Sequence, residues 1–148
     1  MHKRSSVFAV AALCATLLSG AARLPAETVC LKTADFTLNF LVGDDGRLYQ
    51  QPLGWASQRG RPQRADEGYP QAGDGYILEP ALEVTHADGN TSTVLLYKGV
   101  TRSQEAPGIE LTRITLRDPA YPFEADLCFR THRALDVIEE WVQLRHHE

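Results

Sequence analysis

The side chains in this sequence that could do chemistry are few. Carboxylates sit side by side at Asp66-Glu67 and Glu139-Glu140. A glycosidase uses such acids in pairs, one on each side of a sugar, about 5–9 Å apart. Nothing in their spacing sets any two across a cleft, and they read as solvated surface acids. The terminal His146-His147-Glu148 holds metal-ligand types, but neighbours along a strand point to opposite faces, so it reads as a solvated chain end. Asp44-Asp45-Gly46 and Asp88-Gly89-Asn90 lack the alternating ligands of a calcium loop and fit plain turns. The nucleophile elbow G-x-S-x-G, the zinc motif H-E-x-x-H and the phosphate loop G-x-x-x-x-G-K do not occur. Asn90-Thr91-Ser92 is a glycosylation sequon.

Residues 52–75 differ in kind. They carry Pro52, Pro62 and Pro70, five glycines, the bases Arg59, Arg61 and Arg64, the acids Asp66 and Glu67, and the aromatics Trp55 and Tyr69, with Tyr76 just beyond. Connections are usually about 4–6 residues, and much longer ones are commonly functional or disordered. Aromatic faces in a polar loop containing Arg and Asp suit sugar rings. That makes Trp55, Arg64, Asp66, Tyr69 and Tyr76 candidate substrate-binding residues. Aromatics that anchor a long loop to a sheet account for the same side chains equally well.

The elements that must position these residues have a period of two. Phe36, Leu38, Phe40 and Val42 alternate with Thr37, Asn39 and Leu41, a half-buried strand. Gly43 to Gly46 form a turn, and Arg47–Gln51 reads as the return strand of a hairpin. Ile77–Val84 is a further strand candidate, placed at an edge or bulge by Pro80, and Thr91–Lys98 pairs with it across the 86–90 turn. Ile109–Arg117 is strand-like. Asp118-Pro119-Ala120-Tyr121-Pro122 breaks the ladder before Phe123, Ala125, Leu127 and Phe129, which face opposite to Glu124, Asp126, Cys128 and Arg130. For residues 135–144 local propensity favours helix and the all-β context favours strand; context decides for strand. The expectation is an antiparallel all-β domain.

Composition bounds the rest. The chain has 148 residues, 43% hydrophobic and 23% charged, a globular balance. A formal charge of −4 leaves no basic surface suited to nucleic acid. His2-Lys3-Arg4, the apolar run Val7–Leu18 and the small residues Ser19 to Ala22 form a signal peptide over residues 1–22, so the domain proper is 23–148 and the protein is expected to be secreted or periplasmic. Without the leader the chain has 13 basic and 19 acidic side chains, a net of −6. Cys30 and Cys128 remain, either as a disulfide or as two buried thiols.

The order of the motifs resembles that of glycoside hydrolase family 36, the α-galactosidases, in its N-terminal β-sandwich domain. The matching stretches are Gly46-Arg47-Leu48-Tyr49, Leu53-Gly54, Tyr69-Pro70-Gln71-Ala72-Gly73, Glu79-Pro80-Ala81-Leu82-Glu83-Val84-Thr85-His86 with Asp88-Gly89, Leu95-Leu96-Tyr97, Leu116-Arg117-Asp118-Pro119, and Asp136-Val137-Ile138 with Trp141. The chain departs at Ile77-Leu78-Glu79, where several relatives carry a basic residue. The resemblance implies an incomplete β-supersandwich belonging to a retaining α-galactosidase that needs no metal or other cofactor. Its two catalytic aspartates lie on a barrel absent from this sequence, so no residue here is assigned a catalytic role. The implied partners are galactoside oligosaccharides reached through that barrel, and another subunit in a full-length homo-oligomer; no membrane partner is expected once the leader is cleaved. A stand-alone carbohydrate-binding sandwich is the alternative.

Overall fold

The structure is a computed structural model that describes residues 27–51, 66–73 and 75–147. The expected leader, Trp55 and Arg64 lie outside these residues. Seven strands follow one another: β1 Thr28–Lys32, β2 Thr37–Val42, β3 Leu48–Gln50, β4 Leu96–Ala106, β5 Ile109–Arg117, β6 Phe123–His132 and β7 Val137–His146. No α-helix occurs among the described residues. The strands form two antiparallel sheets, β1-β2-β3 and β4-β5-β6-β7, each in chain order. Such sheets need only hairpin connections.

One hydrophobic core serves both sheets. Val29, Leu31, Leu38, Phe40 and Leu48 from the first meet Ile114, Leu116, Phe123, Ala125, Leu127 and Phe129 from the second, joined by Leu95. The rings of Phe40 and Phe129 lie 5.2 Å apart at 42°. A second link is a backbone hydrogen bond from the Tyr97 N–H to the Gly46 carbonyl, 2.8 Å. Gly46 has φ of +77° at the turn between β2 and β3, a conformation that glycine adopts without a Cβ penalty.

The hairpin expected from Phe36 to Gln51 forms as β2 and β3, with Val42 opposite Leu48. The strand expected over 135–144 forms as β7, whose register runs from Val137 opposite His132 to His146 opposite Phe123. Packing of a whole strand against β6 outweighs the helical propensity of a short segment.

The Ile77–Val84 expectation is corrected. This stretch lies outside every strand and makes one isolated parallel bridge, Leu82 to Gln71. Its backbone bonds run to 70–72: Ala81 N–H to Pro70 C=O and Ala72 N–H to Leu82 C=O, both 2.9 Å. Pro80 has no N–H for a ladder, and Ile77 and Leu78 are 94% and 57% exposed. The strand expected to pair with it begins only at Leu96, continues to Ala106 and pairs with β5 instead. Before it, the Leu95 N–H is held by the Gln71 side-chain oxygen at 3.0 Å and the Val94 N–H by Asp118 at 2.9 Å.

Neither reading of the cysteines holds for Cys30. Both thiols are free, Cys128 buried and Cys30 exposed. Along β1 the buried positions are Val29 and Leu31, so the pleat turns Cys30 outward.

Candidate functional site

Of the candidate loop residues, Asp66, Tyr69 and Tyr76 are among the described ones. Asp66 is exposed. Its neighbour Glu67 is buried and pairs with Arg47 through Nη1–Oε1 at 2.9 Å. Glu67 also bridges Tyr49, and the Gly68 N–H donates to the Leu48 carbonyl at 2.8 Å, so the end of the loop is laid along β3. Tyr69 packs partly buried against the core, and burial raises its phenol pKa. Tyr76 is half-buried beside the protruding Ile77. A shallow cavity of about 470 Å³ is lined by Ala72, Gly73, Glu83, Val84, Thr85 and Thr91, and none of Asp66, Tyr69 and Tyr76 lines it.

The paired acids also separate. Glu139 sits opposite Arg130 and Glu140 opposite Phe129, so the two lie on opposite faces of β7. The Glu139 carboxylate takes a 3.0 Å hydrogen bond from Arg130 Nη1 and lies 2.5 Å from His132 Nε2. These contacts, that of His132 foremost, hold its carboxyl below the ordinary range. Burial pushes the Glu140 carboxyl up instead. Two acids facing away from each other cannot flank one glycosidic bond. No group of three or more metal-ligand side chains assembles among the described residues.

The densest chemistry lies on the face of the second sheet turned away from the core. Glu124 and Asp126, at alternate positions of β6, are both buried there. Register brings Arg117 and Arg145 opposite Glu124, and Thr115 and Gln143 opposite Asp126. Lys98 Nζ lies 2.6 Å from Glu124 Oε1, reaching it from the register shift in β4 between Tyr97 and Gly99. Arg145 Nη2 donates to Glu124 Oε2 at 3.2 Å and to Asp126 Oδ1 at 2.9 Å, while its Nη1 lies 2.7 Å from Asp126 Oδ2. Thr115 Oγ1 donates to Asp126 at 2.8 Å, and His147 Nε2 lies 3.2 Å from Glu124. Lys98 above all, with His147 and Arg145, holds the Glu124 carboxyl down to about 2 against the opposing effect of burial. A carboxylate held as Glu124 is serves as a structural counterion and is not poised to pass protons. The sequence carried a signal for this network: acids two apart on the best alternating strand, with arginines at matching phase on the strands before and after it.

The model for the glycosyl hydrolase family 36 N-terminal domain matches residues 31–148. No curated protein matches the chain. Among solved structures, the family 36 α-galactosidase AgaB of Geobacillus stearothermophilus superposes with a TM-score of 0.66 at 19% identity, covering 80% of this chain and 21% of that one. The α-galactosidase of Lactobacillus brevis gives 0.63 at 17%, with 79% and 21% covered. The galactosidase domain of the α-galactosidase-sucrose kinase AgaSK gives 0.67 at 19%, with 82% and 22% covered. At these identities the likeness is one of fold, and the chain spans about a fifth of the length of these relatives.

Proposed function

Because the chain belongs to the family of glycosyl hydrolase family 36 N-terminal domains, we propose that it is the non-catalytic β-sandwich portion of an exported α-galactosidase-like glycoside hydrolase. The observation that carries this reading is the pairing of its family with its chemistry. The family match runs over residues 31–148, while the buried acids Glu124 and Asp126 on that scaffold are paired with Lys98 and Arg145, Thr115 adding a hydrogen bond to Asp126. Hydrolysis of terminal α-galactosides belongs, in this reading, to carboxylates on a separate catalytic module. Export is supported by the basic start, apolar run and small residues within 1–22.

The test is direct. The purified chain is incubated with a nitrophenyl α-galactoside, and no turnover is expected; robust turnover that survives repeated purification overturns the proposal. A sugar contact, where this domain makes one, falls to Trp55, Arg64, Asp66, Tyr69 and Tyr76, with Tyr69 also packed against the core. Titration with galactosides, followed by tryptophan fluorescence, separates a binding module from a scaffold: saturable quenching indicates binding, and a flat response is the outcome expected for the scaffold.

A further inference from the structure

We propose that the outward face of the β4–β7 sheet is a docking surface for an acidic protein face. Its charges are layered. Glu124 and Asp126 lie beneath, with side chains 6% and 0% exposed, while Lys98, Arg113, Arg117 and Arg145 stand above them at 39% to 58%. His147 joins them at the end of β7. At the Lys98–Arg145 end of this face the exposed side chains are cations, although the whole chain carries −4; Glu105 and Glu139, 34% and 47% exposed, lie further along it and pair with Arg130. With Arg130, Glu105 and Glu139 included, five obligate cations face four carboxylates; the positive excess is concentrated in the cluster of Lys98, Arg113, Arg117 and Arg145 over Glu124 and Asp126, where complementary potential requires carboxylates in return.

The buried acids also pre-organise the cations. Arg145 is gripped by both carboxylates, Lys98 by Glu124, and Arg113 Nε lies 3.4 Å from Asp126 Oδ2. Side chains already ordered lose less entropy when a partner arrives. The same face carries Trp141, opposite Cys128 and beside the Arg130 guanidinium, 5.1 Å from its ring centroid. Arg and Trp are the types enriched at the centre of protein interfaces. An extended sheet face built from four strands suits a broad protein contact better than a small anion.

The experiment uses the full chain with Trp55→Phe, which leaves Trp141 as the single tryptophan. The probes are poly-L-glutamate and polygalacturonate at matched charge. Poly-L-glutamate is expected to shift Trp141 emission saturably at low ionic strength, with the effect lost at high salt. Arg117→Glu, at an exposed cation 4.0 Å from Glu124, is expected to weaken this binding about tenfold. Arg133→Glu makes the same charge change at the β6–β7 turn and is expected to leave binding unaltered. Thermal melts confirm that both variants fold. The proposal is overturned by an absence of saturable binding, by equal weakening in the two variants, or by tighter binding of polygalacturonate, which would mark the face as a glycan site.

Discussion

Glu124 shows how one side chain ties the stability of this domain to pH. Its carboxyl is held down from 4.5 to about 2 in the folded chain, with Lys98 as the first cause. Between those values the unfolded chain binds more protons than the folded one. The stabilisation is therefore complete above about 4.5 and is lost as pH falls toward 2. Glu124→Gln is expected to flatten the loss of stability across this window, as measured by urea unfolding at a series of acidic pH values. A second contrast is between the thiols. Cys30 is exposed and Cys128 buried, so a thiol reagent is expected to modify Cys30 rapidly in the native chain and Cys128 only on unfolding; equal rates would contradict the packing of β6. At this scale the sequence was partly legible. Tyr69 was recognisable as an aromatic in a long loop, but its packing against the core was not. Glu124 and Asp126 were read as the polar side of a strand because a one-dimensional pattern shows alternation and not what neighbouring strands bring over it.

Among the elements, β6 is central. It is flanked by β5 and β7, and nearly every residue on both its faces is buried. Phe129, fully buried and stacked obliquely on Phe40, joins the two sheets. Phe129→Ala is expected to cost about 3–5 kcal/mol through lost burial and the cavity left behind, read from the shift in urea midpoint. Strands with an apolar stripe, such as β2, β5 and β6, could be recognised from period alone. The 77–84 stretch could not, because Ile77, Leu78 and Pro80 imitate an edge strand while its backbone bonds run to residues 70–72. The far half of β4 was missed for the opposite reason. Thr101 to Glu105 are exposed and polar, so pairing with β5 makes them a strand without any hydrophobic signature.

At the scale of the whole molecule the two sheets are unequal, three strands against four. On the core-facing side of β7, Ile138 and Val142 are partly covered and Leu144 is 50% exposed. The outer edge of β7 carries no partner strand among the described residues. Apolar surface next to an unpaired edge favours association. The isolated chain is expected to associate with rising concentration, and Leu144→Lys to reduce this, both checked by analytical ultracentrifugation. A chain that stays monomeric throughout would mean that the edge protects itself.

The order of the strands also has a consequence for synthesis. The first sheet is translated early, yet the side chains that cover Val29, Leu31 and Phe40 come largely from β5 and β6. A nascent polypeptide emerging from the ribosome must carry β1–β3 with their greasy side bare until the last hairpins appear. A stall anywhere before Ile109 would hand a holding chaperone a first sheet that neither β5 nor β6 has yet covered.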